Sequence, residues 1–170
     1  MGSVPSGFEA VDDAIRAGAD GAFSFLERLV GAPSTVGEEA PAQRIVADEL
    51  ARLGFDVTAV PVPPGTAGQP GAGVAQAPYP GRSNVWGRLG PGGSPSLLLN
   101  GHVDVVPAEP AGWRDDPFTP VTSGGWMTGR GAGDMKGGFA MGLLAVAALR
   151  PAWPGAAPRR RAGHAGRDLG

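Results

Sequence analysis

The sequence contains no cysteine, and this absence restricts the chemistry that the protein can perform. Without thiols the chain has no disulfides, no thiolate metal ligands and no thiol nucleophile. A bound metal would therefore have to be held by nitrogen and oxygen atoms. Histidine is scarce as well, with two residues in the whole chain, so His, Asp and Glu are the remaining candidate ligands.

The chain also lacks a basic excess and a long apolar run. Its formal net charge is -2, which does not favour binding to nucleic acids or to anionic membrane surfaces. No segment has the roughly 18 uninterrupted apolar residues that span a bilayer, and no basic region leads into an apolar run at the N-terminus. We therefore predict a cytoplasmic protein that acts on small molecules, with no nucleic-acid partner and no membrane partner.

Apolar residues recur at helical spacing in three segments. We predict helices over residues 8–30, 38–53 and 135–150, the first of them weakened by Gly18 and Gly21. The third helix is almost wholly apolar and should pack against a sheet. The residues of the first helix that we expect to face inward are Val11, Ile15, Phe23, Leu26 and Leu29 or Val30.

Three further segments have the pattern of strands. They cover residues 55–60, 84–89 and 96–106, and the last contains three consecutive leucines, which suits a strand buried on both faces. Residues 61–82 are rich in Pro and Gly and are predicted to form no regular element, with plain disorder favoured over a long loop or flap. Together with the helices, these strands predict an α/β fold in which helices flank a mixed or mainly parallel sheet.

The motif Gly-His102-Val-Asp104-Val-Val-Pro107 lies at or just beyond the end of the predicted leucine strand, where open α/β sheets place their ligands. Neutral imidazole is a good zinc ligand, and such a ligand usually donates its other ring N–H to a carboxylate. In an extended segment residues i and i+2 point to the same side, so Asp104 can reach the His102 imidazole from behind. Taken alone, this two-residue pattern also fits an ordinary surface or core histidine.

The second motif is Gly129-Arg-Gly-Ala-Gly-Asp134-Met-Lys136-Gly-Gly138. Asp134 directly precedes the third predicted helix, so it can be a helix N-cap or an anion held by the helix N-terminus. An N-cap does not explain the dense glycines, which allow close backbone approach and positive φ. A carboxylate held in such a turn could bridge two cations about 3.5 to 4 Å apart, as in two-metal hydrolases. We interpret Lys136 as a local counter-charge rather than a catalyst.

The two motifs together resemble the co-catalytic zinc amidohydrolases and metallopeptidases, the family of acetylornithine deacetylase, succinyl-diaminopimelate desuccinylase, aminoacylase and glutamate carboxypeptidase. Gly112-Trp113 followed by Asp116-Pro117-Phe118 lies between them in the family's order, and weaker similarity extends over residues 8–150.

The resemblance implies that His102 ligates one zinc, that Asp134 bridges two zinc ions and that Asp104 is the catalytic-site residue that orients His102. Cobalt can stand in place of zinc. The implied activity is hydrolysis of amide bonds in N-acyl amino acids or small peptides, by a deacylase or an exopeptidase. Substrate identity and oligomeric state stay open.

Several of the family's functional residues have no counterpart in this chain. The family requires a Glu-Glu pair after the bridging aspartate, which includes the general base, and also a later acidic ligand and a distal histidine. Glu38-Glu39 precedes His102, and we interpret it as favouring the start of the second helix through the helix dipole. His164 is a poor substitute for the distal histidine, because no predicted element holds it in place.

We therefore divide the chain into an incomplete catalytic domain, residues 1–150, and a disordered tail rich in Arg, Pro and Gly, residues 151–170. We interpret the tail as the product of a frame change or premature end in a GC-rich gene, with a solvated basic tail as the alternative. The expected cofactor content is one zinc or none, with little or no turnover. The alternative function is a non-enzymatic fragment with at most weak binding of a single zinc.

Overall fold

The computed structural model describes residues 6–72, 77–90 and 97–150. Within them lie three α-helices, which we number α1 (Ser6–Val30), α2 (Ala40–Arg52) and α3 (Gly137–Leu149). Each corresponds to one of the predicted helices. Glycine does not interrupt α1, which runs through Gly18 and Gly21 as one continuous helix.

The middle of α1 contains glycine where α3 crosses it. A Cβ atom built on Gly18 would lie 2.7 Å from Leu144 Cδ1 of α3, whereas one built on Gly21 would meet nothing within 4 Å. Gly18 therefore permits the two helices to approach closely, and this packing offsets the low helix propensity of glycine.

The inward face of α1 differs in part from the prediction. Leu26, Leu29 and Val30 are buried as expected, but the side chains of Ile15 and Phe23, also predicted to face inward, are 36% and 49% exposed, whereas Phe25 is 1% exposed. The prediction for Phe23 was wrong because Phe25 lies four residues before Leu29, on the face that contacts the rest of the protein. On α2, Val46 and Leu50 face the same core, together with Leu53 just beyond the helix.

Two antiparallel strand pairs complete the regular structure. Strands β1 (Asp56–Pro61) and β2 (Ser83–Arg88) pair with each other, as do β3 (Val121–Ser123) and β4 (Trp126–Thr128). The first pair confirms two predicted strands, whereas β3 and β4 were not predicted. The α/β class is confirmed, although the one parallel pairing in the described part of the chain is an isolated bridge between Thr35 and Val105.

The leucine segment is the main departure from the predicted fold. Residues 97–104 form no regular strand, and Leu97, Leu98 and Leu99 are 69%, 63% and 57% exposed. The prediction that this strand is buried on both faces was therefore wrong. Burial on both faces needs hydrogen-bonded neighbour strands, and the described ranges supply none for these leucines.

Other predictions concern the loop and the tail. The described part of the predicted loop at 61–82 contains one short 3-10 turn, Thr66–Gly68, and residues 73–76 of it lie outside the described residues. The predicted tail, 151–170, with His164, also lies outside them. By length and composition alone, the stretch Ala132–Leu149 would suffice to cross a membrane, a criterion that core helices of soluble proteins also meet.

Candidate metal centre

The segment that carries His102 is extended and alternates between buried and accessible side chains. Val103 and Val105 are 5% and 4% exposed, while the side chains of His102 and Asp104 are about half exposed. Ser34, which follows α1, anchors this segment. Its buried hydroxyl donates to the Val103 carbonyl at 2.6 Å, and its own carbonyl accepts from the Val105 N–H at 2.9 Å. The two valines thus fix which side of the segment His102 and Asp104 occupy.

The His102 imidazole is oriented through its Nδ1 atom. This atom lies 3.0 Å from the backbone carbonyl oxygen of Asp104 and 3.3 Å from Oδ1 of the same residue. Both are acceptors, so they favour the tautomer that carries its proton on Nδ1. In that tautomer Nε2 has a free lone pair that can coordinate a cation.

Asp134 lies in a π-type turn, Ala132–Lys136, directly before α3. Gly131 enters this turn at φ 83°, and the Lys136 N–H closes it on the Gly131 carbonyl at 2.9 Å. The N-cap position of α3 is Lys136, and no side-chain cap is formed there. Asp134 is therefore not the helix N-cap, and its carboxylate is 92% exposed.

The structure brings His102 and Asp134 together. His102 Nε2 lies 3.3 Å from Asp134 Oδ1, although the two residues are far apart in the sequence. Tetrahedral zinc, with bonds of about 2.0 to 2.2 Å to nitrogen and oxygen, separates two of its ligand atoms by about 3.3 to 3.5 Å. The observed distance therefore fits two donors of one cation, and it also fits a direct ion pair with protonated His102.

Within the described part of the chain, His102 and Asp134 are the two candidate metal donors that lie together. No group of three or more His, Asp or Glu residues able to hold a metal ion occurs in those ranges. Glu39 is used elsewhere, since its carboxylate accepts from the Gly37 N–H at 2.8 Å and pairs with Arg82 at 2.5 Å. These contacts give Glu39 a structural role and not that of the missing general base.

Lys136 has a different environment from the one the sequence indicated. It is completely buried, and its Nζ donates to the carbonyls of Leu29 at 2.8 Å and Ala32 at 3.0 Å. Its polar partners are thus backbone oxygens at the end of α1 and just after it, and not a carboxylate, so the counter-charge interpretation was wrong. Burial lowers the pKa of Lys136 to about 8.

The segment of residues 113–119 packs beside the turn Ala132–Lys136. The Arg130 N–H donates to the Pro117 carbonyl at 2.7 Å, and the Arg130 guanidinium lies 5.1 Å from the centre of the Trp113 ring. Asp116 closes its own loop by accepting from the Phe118 N–H and the Thr119 hydroxyl, each at 3.0 Å. The middle part of the family motif therefore packs beside the turn that carries Asp134.

Sequence reasoning missed the structural roles of Ser34 and Lys136. The sequence pattern around Ser34 assigns it no role. Lys136 is the single lysine of the chain and lies between glycines at the start of an apolar helix, which is a signal of burial that could have been used.

Comparisons with known sequences identify the family to which these motifs point. The sequence pattern of peptidase family M20/M25/M40 matches residues 98–157, so it extends past the domain boundary predicted at residue 150. The chain is 38% identical over 130 residues to the succinyl-diaminopimelate desuccinylase of Methylobacterium radiotolerans, a match that covers 76% of the chain and 30% of that enzyme. It is 46% identical over 129 residues to the enzyme of the same name from another Methylobacterium species, covering 74% of the chain and 28% of that enzyme.

Solved structures give the same result for the fold. The di-peptidase Dug1p of Saccharomyces cerevisiae matches with a TM-score of 0.63 and 25% identity, over 84% of the chain and 31% of that protein. Human carnosine dipeptidase 1 matches with a TM-score of 0.64 and 26% identity, over 88% of the chain and 32% of that protein. The chain thus spans about 30% of the length of the first curated relative that it matches.

The fold and the motifs together match part of a domain of the metallopeptidase class. Within this class, the chain carries the N-terminal part of a peptidase family M20/M25/M40 domain. The family resemblance recognised from the motifs is thereby confirmed.

Proposed function

We propose that this chain contributes part of the active site of a metal-dependent amide hydrolase that acts, as a deacylase or exopeptidase, on N-acyl amino acids or small peptides. The relatives named desuccinylase and dipeptidase support this substrate class. The observation that carries the proposal is the 3.3 Å separation between His102 Nε2 and Asp134 Oδ1. In this proposal His102 and Asp134 are ligands of zinc, or of cobalt in its place.

Each of the three residues has a distinct part in the proposed site. When bound, zinc would polarise the scissile carbonyl and lower the pKa of a coordinated water. Asp104 holds the proton on His102 Nδ1, through its carbonyl and its carboxylate, and thereby directs Nε2 toward Asp134. The exposed Asp134 carboxylate has a second oxygen for a second cation, which supports its proposed bridging role.

The proposed site is incomplete in the residues that the structure describes. Catalytic zinc usually has three protein ligands and a general base within reach of its water, and the described ranges bring together two donors. We therefore propose that residues 1–150 act as an incomplete catalytic domain in the cytoplasm. The same count supports the alternative, a non-enzymatic fragment with at most weak binding of one zinc.

The proposal is tested by zinc titration of the whole chain, observed through the imidazole C–H signals in NMR. The His164→Gln variant leaves His102 as the one histidine, so its response can be read without overlap. We expect zinc to shift the His102 signals, and Asp134→Asn to raise the zinc concentration at half-shift by at least about tenfold.

The matched control is Asp115→Asn, because Asp115 pairs with Arg114 and not with His102. It should leave the zinc titration unchanged. An unresponsive His102, or equal titrations for the Asp134→Asn and Asp115→Asn variants, would refute the proposed site. Hydrolysis of an N-acetyl amino acid, measured alongside, separates the two functions: zinc binding below one ion per chain without turnover supports the non-enzymatic alternative.

A further inference from the structure

We propose that Lys136 is a positioning residue, which holds Asp134 opposite His102 by tying the turn Ala132–Lys136 to the C-terminal end of α1. This inference rests on the proposed function, because it concerns the geometry of the proposed metal ligands. It assigns no chemical step to Lys136 itself.

The contacts of the ammonium group show what it is tied to. Lys136 has no exposed surface, and Nζ donates to the carbonyls of Leu29 and Ala32 at 2.8 and 3.0 Å. The last carbonyls of an α-helix lack partners within the helix, and the negative end of the helix dipole favours a cation there. The end of α1 and the turn that follows it thus supply two backbone acceptors for the buried Lys136 side chain.

The same residue also closes the turn through its backbone. Its N–H donates to the Gly131 carbonyl at 2.9 Å, and its side-chain stem passes so close that a Cβ on Gly131 would lie 3.3 Å from Lys136 Cδ. Residue 136 therefore holds the turn at both its ends and joins it to a separate helix. Asp134 lies between these two points of attachment.

The Asp134 side chain has little of its own to hold it. Its carboxylate is 92% exposed, and the ion-pair partner that the structure gives it is His102. Its position relative to His102 is therefore set by the backbone of the turn. Because Nζ is buried against α1, Lys136 acts on the site through this backbone and does not touch a substrate.

Because the chain has no cysteine, a single introduced thiol can be used to change the terminal group of the side chain at residue 136. The variant Lys136→Cys has one thiol, which can be alkylated in denaturant before the whole chain is refolded. Bromoethylamine yields a side chain with lysine's length and ammonium, whereas bromopropane yields one of equal length that ends in a methyl group. The two products differ in charge and hydrogen bonding, while the space they fill is nearly the same.

Two measurements report on the turn. The first is hydrogen exchange of the residue 136 amide, which we expect to be at least about tenfold faster in the propyl form than in the aminoethyl form, with the β1–β2 amides unchanged. The second is the zinc titration of His102, whose half-shift concentration should rise about tenfold in the propyl form and return toward the unmodified value in the aminoethyl form.

A control separates positioning from general destabilisation. Leu50→Ala removes a buried side chain of α2 that packs near Gly87, away from the turn. This variant should lose stability without a change in the zinc titration of its folded fraction. If the propyl form does not fold, Lys136→Gln, which keeps an N–H donor, is compared with Lys136→Met, and slower exchange at residue 136 in the Gln variant is expected.

Amide exchange at residue 136 tests the role of Lys136 independently of whether the proposed metal site exists. Equal exchange rates and equal zinc titrations in the two alkylated forms would overturn this role, as would equal exchange in the Gln and Met variants. If no form of the chain responds to zinc, the proposed metal site fails, and the exchange difference at residue 136 still decides whether Lys136 holds the turn.

Discussion

Replacement of Gly131 by alanine should destabilise the chain through two separable effects. Gly131 has φ 83°, a left-handed conformation that costs a residue with a Cβ roughly 1 to 2 kcal/mol. The added Cβ would also lie 2.6 Å from Val105 Cγ1, and Val105 is 4% exposed, so it has little room to move. Overpacking of this kind costs about 1 to 3 kcal/mol. The expected total is a loss of about 2 to 5 kcal/mol in the free energy of unfolding.

The chain contains a matched control for the first effect. Gly125, in the turn between β3 and β4, also has φ 83°, and a Cβ built there would meet nothing within 4 Å. Gly125→Ala should therefore cost only the conformational part, roughly 1 to 2 kcal/mol. The difference between the two variants measures the packing around Gly131, in which the closest contact is with Val105 at 2.6 Å and the next is with Lys136 Cδ at 3.3 Å. The contact with Val105 joins the segment carrying His102 to the turn carrying Asp134.

The assay is urea unfolding of the whole chain at 25 °C, followed by circular dichroism and by tryptophan fluorescence. A Val105→Ala change should recover part of the loss in the Gly131→Ala background, giving an interaction energy of about 0.5 to 3 kcal/mol in a double-mutant cycle. Equal losses for Gly131→Ala and Gly125→Ala, together with an additive cycle, would refute the proposed packing of the two motifs.

Three further changes test other parts of the structure. Gly21→Ala should stabilise the chain by about 0.5 to 1 kcal/mol, because helix propensity rises and the added methyl group meets nothing. Gly18→Ala should lose this gain, because its added methyl group clashes with α3. Thermal unfolding of both variants checks this, and an equal gain in the two would contradict it. Ser34→Ala should lower the free energy of unfolding in urea by about 1 to 3 kcal/mol, because it leaves the buried Val103 carbonyl unpaired. Ser24→Ala, on the exposed side of α1, should change it by no more than about 0.5 kcal/mol. Burial lowers the pKa of Lys136 to about 8, so between pH 8 and 10.5 the unfolded chain binds a proton that the native chain has released. The free energy of unfolding should therefore rise with pH over this range, by as much as about 3 kcal/mol relative to the Lys136→Met variant. A difference between the two chains that stays flat or falls would contradict the lowered pKa.

Local periodicity accounts for what could be predicted from the sequence. The three helices follow from apolar spacing, and the positions of His102 and Asp104 follow from the two-residue repeat of an extended segment, with Val103 and Val105 buried at the alternate positions. These features depend on neighbours in the sequence. The approach of Asp134 to His102 does not, and it was expected only because the two motifs resembled one family.

The failures arise where distant contacts decide the outcome. The leucines at 97–99 have the pattern of a buried strand, but burial depends on neighbouring strands that periodicity cannot supply. The hairpin of β3 and β4 has strands of three residues each, too short for a periodic signal, although Gly124-Gly125 is a known turn pattern. Lys136 was misread because the carbonyls that bind it belong to the last residues of α1 and the turn after it, about a hundred residues earlier.

The end of α1 and the residues just after it position both halves of the proposed metal centre. Ser34 holds the segment of His102 through hydrogen bonds to Val103 and Val105. The carbonyls of residues 29 and 32 hold Lys136, and a Cβ on Gly129, at the start of the second motif, would lie 2.5 Å from a side chain of α1. Because both ligands are attached to residues 29–34, the distance between them depends on this one short segment. A destabilising substitution in residues 29–34 should therefore lower the affinity for zinc by more than its loss of unfolding free energy predicts. None of these residues is proposed to contact the metal.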